Sequence, residues 1–304
     1  MKILVCDPIA DEGVKVLNDS EHEVDVKTGM SVDELEAIIA DYHAIIVRSA
    51  TKIRKAQIDK ATNLKVIARG GVGLDNIDVA YAKDKGIQVK NTPGASSISV
   101  AELTFAHMLS AARNVGRGTV GMKNGKWEKK KLKGIELYGK TLGLIGAGRI
   151  AQEVAKRAIA FGMKVVASDP YVTEVKGIEI SLMGKDEVIE KADFLSLHVP
   201  LTDETRNIIN EEAINKMKDG SVLVNCGRGG TVDEVALSKA LDSGKIRATG
   251  LDVFSTEPIT GEETILKSDN VAFTPHIGAS TLEGQLRVGI EVAEVIIDTL
   301  KETK

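Results

Sequence analysis

Residues 141–169 read TLGLIGAGRIAQEVAKRAIAFGMKVVASD, and no other segment constrains the fold as tightly. A short apolar run meets the turn Gly146-Ala147-Gly148-Arg149-Ile150-Ala151, a helical pattern follows, and a second apolar run ends at Asp169. In a strand–turn–helix–strand unit of this kind the first glycine makes the tight turn. The second lets a pyrophosphate approach the backbone, and the third small residue, here Ala151, lets the helix pack on the strand. The helix N-terminus then faces the phosphate charge. Asp169 stands 18 residues beyond Ala151, at the strand end where an acid hydrogen-bonds ribose hydroxyls. Its charge repels a 2′-phosphate, and Pro170-Tyr171 supplies no cation. The pattern points to NAD rather than NADP.

The same rhythm runs through the rest of the chain. Strand candidates are 2–7, 22–27, 44–49, 65–69 and 87–91, then 141–146, 164–169, 194–199, 221–226, 248–253 and 271–276. Helical patterns alternate with them, as at Val32–Ala40, which predicts βαβ units and parallel sheets. After Asn91 the rhythm changes: a longer helical pattern covers 97–114, and a Gly- and Lys-rich stretch holding Trp127 covers 116–140. At roughly 100–200 residues per domain, 304 residues suggest two domains. The expected fold is α/β, two Rossmann-like or flavodoxin-like parallel-sheet modules with the second inserted into the first. The amphipathic pattern 281–304, with a frayed charged tail, would return to the first module.

Composition narrows the partners. Hydrophobic residues at 43% and charged residues at 28% exclude a disordered chain. Lys+Arg of 40 against Asp+Glu of 44 gives no support to a nucleic-acid or membrane partner. Cys6 and Cys226 form no metal-ligating or disulfide spacing, so no metal is expected. No run approaches the ~20 apolar residues of a membrane span, and the start is a buried strand rather than a signal peptide. A reducing cytoplasm is the expected compartment.

Ligands of parallel sheets bind beyond the carboxyl ends of the strands, and three late strand ends deliver chemistry there. One gives Cys226-Gly227-Arg228, one Asp252 and then Glu257, and one His276-Ile277-Gly278-Ala279. These are sufficient parts for alcohol–carbonyl interconversion. His276 would exchange the hydroxyl proton, Glu257 would stabilise the imidazolium, and Arg228 would hold a substrate carboxylate. A further cluster, Arg69-Gly70-Gly71-Val72-Gly73-Leu74-Asp75, reads equally as an anion-binding nest or a plain tight turn. His107 lies within an apolar helical pattern and reads as structural. His198 stands at a strand end with no argument for a chemical role. Cys226 reads as structural placement beside the dinucleotide.

RGGVGLDNID, SVAELTFAHML, HVPLTDETRNIIN, NCGRGGTVDEVAL, GLDVFSTEP and TPHIGAST together resemble the D-2-hydroxyacid dehydrogenase family over essentially the whole chain. VRSATKI and GKWEKKKLKGIELYGKTLGLIG look most like its D-3-phosphoglycerate dehydrogenase branch. The resemblance implies catalytic Arg228, Glu257 and His276. It implies cofactor contacts at Val72, Gly146, Gly148, Arg149, Ile150, Asp169, Val199, Cys226, Gly227, Arg228, Asp252 and 276–279. It further implies a discontinuous substrate domain, 1–95 and 281–304, an NAD domain at 96–280, and a homodimer through the NAD domains that uses the long helix at 97–114. A phosphorylated 2-hydroxy acid, 3-phospho-D-glycerate, would be the substrate. Its contacts would be Arg48, Ser49, Arg69, Gly71, Val72, Gly73, Ser96 and Lys129. Lys129 stands where many relatives carry arginine, and Ser96 where they commonly carry asparagine. Family members often continue into a serine-sensing domain; with Lys304 the last residue, serine feedback is not expected. The rivals are a glyoxylate/hydroxypyruvate reductase or D-lactate dehydrogenase, and an NAD-sensing corepressor-like protein on the same fold.

Overall fold

The computed structural model describes residues 1–302. It divides into two compact units, Met1–Ser97 with Ala279–Lys304, and Ile98–Gly278. The smaller is built on β1 (Lys2–Val5), β2 (Glu23–Val26), β3 (Ala44–Val47), β4 (Val66–Arg69) and β5 (Gln88–Asn91). Every pairing is parallel, in the order β2-β1-β3-β4-β5, the flavodoxin-like arrangement.

Strand alternation sends side chains to two separate cores. Leu4, Ile45, Val47 and Ile67 pack with Leu35, Ile39, Ile58 and Ala82 on one face. Ile3, Val5, Ala44, Ile46, Val66 and Ala68 pack on the other with Val292, Ala293, Ile296 and Leu300. Those four come from the terminal helix Leu282–Glu302. Gly13 of the helix Asp11–Asn18 lets that helix meet the terminal one at bare backbone, because a Cβ on Gly13 would overlap the Gly289 carbonyl group.

The larger unit carries β6 (Thr141–Ile145), β7 (Lys164–Ser168), β8 (Ser181–Leu182), β9 (Phe194–Leu197), β10 (Ser221–Asn225), β11 (Ile246–Leu251) and β12 (Val271–Phe273). They too pair only in parallel, in the order β12-β11-β10-β9-β6-β7-β8. Strand order therefore reverses between β6 and β9, the doubly wound pattern of dinucleotide-binding sheets. Helices Ser97–Arg113 and Arg149–Ala160 cover one face. Helices Lys185–Lys191, Glu211–Lys216 and Glu234–Ser243 cover the other.

The expected all-parallel α/β class holds in both sheets. Two elements escaped the sequence reading. β8 has only two residues, too short for a period-two signal. The stretch 116–140 opens with a helix, Val115–Lys123, seated against β12. Glycines 116, 118 and 121 disfavour a helix there, and none of its residues is buried. The terminal helix starts at Leu282; of the tail expected to fray, Thr303 and Lys304 lie outside the described residues. Among the described residues, no helix is long and apolar enough to cross a membrane.

Candidate active site

The turn after β6 lies at the reversal of strand order and is shaped for close approach to its backbone. Gly146 has φ +96°, and a Cβ there would meet the His198 carbonyl oxygen at 2.6 Å. Only glycine fits both conditions. A Cβ on Gly148 would meet nothing within 4 Å, so its backbone faces open space where the helix Arg149–Ala160 begins. The first-turn N–H groups of a helix have no partner inside it. Ala151 is fully buried where this helix packs.

Asp169 braces the turn. Its Oδ2 accepts from the Ala147 N–H at 2.8 Å, and its Oδ1 accepts from the N–H groups of Tyr171 and Val172 at 2.8 and 3.2 Å. Gln152, which the sequence did not single out, donates through Nε2 to the Ala147 carbonyl at 2.9 Å. Arg149 is exposed, while Ile150 and Val199 are half-buried. Burial pushes the Cys226 thiol up to about 12, leaving a neutral thiol rather than a nucleophile. A bare turn, open approach and a carboxylate at the next strand end fit the pyrophosphate and ribose of a dinucleotide.

Three loops beyond β10, β11 and β12 carry the remaining chemistry. Asn225 organises the first: its Oδ1 accepts from the Gly227 N–H at 3.0 Å and its Nδ2 donates to the Arg228 carbonyl at 2.9 Å. The Thr231 hydroxyl donates to the same carbonyl at 2.7 Å. Arg228 Nη1 donates to the Gly227 carbonyl at 2.7 Å. Gly229 lies directly on the backbone of Phe254, where any Cβ would overlap the carbonyl group. That contact docks the first loop on the second and brings the Arg228 charge within reach of Glu257.

Glu257 Oε1 accepts from the Phe254 N–H at 2.9 Å, and its Oε2 lies 2.6 Å from His276 Nδ1. Burial alone would raise its pKa. The hydrogen bonds from His276 and Phe254, with the charges of His276 and Arg228, outweigh burial and hold the carboxyl below its usual range. An ionised carboxylate only accepts, so His276 Nδ1 carries the proton. Nε2 is then the end of the ring that exchanges protons. The His276 side chain is 48% exposed, and its backbone takes the left-handed conformation, φ +53°.

That backbone is gripped by Asp252, which is 1% exposed. The Asp252 carbonyl accepts from the His276 N–H at 2.8 Å. Oδ1 accepts from the Ile277 N–H and Oδ2 from the Gly278 N–H, both at 2.8 Å. Asp252, expected at a cofactor-contacting position, thus has its oxygens directed at the protein's own turn. Ala279 is the first residue of the next segment of the smaller unit.

In the smaller unit, Arg69 ends β4 in register with Val47, and Arg48 is the residue that follows Val47 past the end of β3. Asp7 and Asn76, neither singled out by sequence, clamp the loop bearing Arg48 and Ser49. Asp7 accepts from the N–H groups of Arg48 and Thr51 and from the Thr51 hydroxyl. Asn76 Nδ2 donates to the carbonyls of Arg48 and Thr51, each at 2.7 Å. In the glycine cluster, Gly70 N–H donates to Val47 and Gly71 N–H to Thr92 Oγ1, both at 2.8 Å. The cluster is a braced turn at those two residues. Val72 and Gly73 are half-buried, Ser96 is buried, and Lys129 is exposed on the larger unit. Among the described residues, no group of three or more His, Cys, Asp or Glu is placed to hold a metal ion.

The fold and the glycine turn define a dinucleotide-binding protein, and comparison with known proteins gives its family. Residues 105–278 match the D-isomer specific 2-hydroxyacid dehydrogenase, NAD binding domain. A hydroxypyruvate reductase of Thermotoga maritima is 54% identical over 301 residues, covering 98% of each chain. A D-3-phosphoglycerate dehydrogenase of Methanocaldococcus jannaschii is 52% identical over 305 residues, covering 99% of this chain but 58% of that protein. Among solved structures, a D-lactate dehydrogenase from Aquifex aeolicus complexed with NAD and lactic acid superposes with a TM-score of 0.85. It is 33% identical and covers 99% of this chain and 96% of that one. The chain belongs to the D-isomer specific 2-hydroxyacid dehydrogenase family, and its cofactor is NAD.

Proposed function

We propose that the protein oxidises 3-phospho-D-glycerate to 3-phosphohydroxypyruvate, the first step of phosphorylated serine biosynthesis. The observation that carries this reading is Arg69 at the end of β4 with Arg48 just past the end of the neighbouring β3. They place two guanidinium groups at one edge of the smaller unit's sheet. Paired guanidinium groups suit a phosphate, whose oxygens take bidentate hydrogen bonds from arginine. Bound NAD supplies the acceptor for the C2 hydride. Arg228 holds the carboxylate and polarises the carbon that reacts. His276 Nε2 takes the hydroxyl proton, and Glu257 stabilises the imidazolium that results.

The second reading is a reductase acting on hydroxypyruvate. It is favoured by the Thermotoga maritima protein, which matches over nearly its whole length. NADH consumption with 3-phosphohydroxypyruvate, run beside hydroxypyruvate, glyoxylate, pyruvate and 2-oxoglutarate, decides between them. The expected kcat/KM for the phosphorylated substrate is at least about a hundredfold above the rest, or about 2.7 kcal/mol. Comparable rates on hydroxypyruvate would discard the phosphoglycerate assignment and keep the dehydrogenase. NAD binding without turnover of any 2-oxo acid would favour a sensor.

We also assign a homodimer formed through the larger unit, supported by Val115, Val120, Met122 and Trp127 standing exposed near one another in sequence. Sedimentation at twice the 32.5 kDa chain mass is the expected result. The two buried free cysteines support a cytoplasmic setting.

A further inference from the structure

His107 fits the apolar pattern of its helix, yet its ring makes a directed contact. It is 3% exposed and packs on β11 at Gly250, where a Cβ would meet His107 Cβ at 2.6 Å. The bare glycine admits the imidazole to the sheet. Ring Nε2 lies 2.8 Å from Thr274 Oγ1, which lies 2.6 Å from Asp252 Oδ1. The far end of this chain fixes every direction in it. The N–H groups of Ile277 and Gly278 can only donate, so Asp252 accepts at both oxygens. The single hydroxyl proton of Thr274 therefore goes to Asp252, and Thr274 must accept from His107 Nε2–H. Burial holds the His107 pKa below its usual value, although the Asp252 charge and a hydrogen bond to Ala272 pull the other way. The ring's Nε2 is fixed by that chain as the donor to Thr274.

We propose that His107 is a positioning residue for the turn that carries His276: through Thr274 it locks Asp252 in the orientation that grips Ile277 and Gly278. The inference rests on the reading of His276 as the acid–base group. His276 holds a left-handed backbone that a non-glycine residue adopts only when its surroundings over-determine it. Asp252 supplies that determination, and its own orientation depends on a third hydrogen bond, the one from Thr274. Without His107 the Thr274 hydroxyl is free to rotate away, and the turn loses one of its fixed points.

The test compares His107→Leu, His107→Gln and Thr274→Val with the wild type. Gln places its Nε2 near the imidazole Nε2 and keeps a donor; Leu keeps bulk and loses it. In His107→Leu, kcat is expected to fall about tenfold, while amide exchange at Ile277 and Gly278 speeds up about tenfold. His107→Gln is expected to recover most of both, and Thr274→Val to reproduce the Leu variant. The Leu/Val double variant should lose little more than either alone, because both break one chain. Unchanged exchange at Ile277 and Gly278 in a folded Leu variant overturns the proposal. So does an unchanged kcat in an enzyme that His276→Ala disables. If His276→Ala leaves turnover intact, the reading of the acid–base group fails instead, and exchange alone decides whether the relay holds the turn.

Discussion

His276 and His198 both stand just past strand ends, and their settings give them opposite chemistry. His276 is half exposed and directs Nδ1 at an ionised carboxylate. Its replacement by Ala should lower kcat by roughly 10²–10⁴, the usual worth of a positioned acid–base group, with NADH affinity measured by fluorescence as the control. Glu257→Gln keeps an acceptor for Phe254 and removes the charge opposite the imidazolium, so a smaller fall in kcat is expected. His198 has Nε2 3.0 Å from the Ser196 hydroxyl, and its Nδ1 is buried without a hydrogen-bond partner. Burial lowers its pKa from 6.5 to about 4. The unfolded chain therefore takes up a proton near pH 6.5 that the folded chain refuses until about pH 4. The stability contributed by the neutral ring is full above pH 6.5 and is lost as pH falls toward 4. At pH 5 the loss is about 2 kcal/mol. Urea titrations at pH 7 and pH 5 should show that difference, and His198→Leu should shrink it.

At the scale of elements, what orders the site is the docking of loops on one another. Gly229 sits where a side chain would overlap the Phe254 carbonyl. Gly229→Ala should force the loop after β10 away from the one after β11, cost roughly 1–3 kcal/mol of stability, and separate Arg228 from Glu257. A fall in kcat/KM without loss of secondary structure, read by circular dichroism, is the expected result. Such packing explains what the sequence disclosed and what it withheld. Regular strands such as Ala44–Val47 are buried along their whole length and read as unbroken apolar runs, and Ser221–Asn225 is equally buried around the apolar run Val222–Val224. Gly146, Gly148 and Asp169 are readable because their spacing follows from one local strand–turn–helix unit. Asp7 and Asn76 act through backbone groups of loops brought together only by the fold, and Thr274 through side chains distant in sequence, so no local pattern marks them. His107 is the sharpest case: its helix period places it in the core, and only the position of β11 and Thr274 shows what its ring does.

At the scale of the whole chain, the connectivity makes one unit depend on residues far away in sequence. Strands β1 to β5 all come from the first 91 residues, but one face of their sheet is covered by the helix Leu282–Glu302. Val292, Ala293, Ile296 and Leu300 are 0% exposed there. Three of these are large, and burying each contributes roughly 1.5–3 kcal/mol. Their sum is comparable to the 5–15 kcal/mol that separates a folded domain from its unfolded chain. The larger unit, Ile98–Gly278, is continuous and has its own two cores. A chain ending at Gly278 should therefore keep the larger unit folded and NADH-binding while the first 97 residues unfold. Limited proteolysis should trim it to a resistant fragment beginning near Ile98, and NADH should raise that fragment's melting temperature. Turnover should be absent, because Arg48 and Arg69 lose the sheet that holds them. A protease-resistant first unit in the truncated chain would show that β1 to β5 carry enough stability without the helix, and that the terminal helix is a cover rather than part of the core.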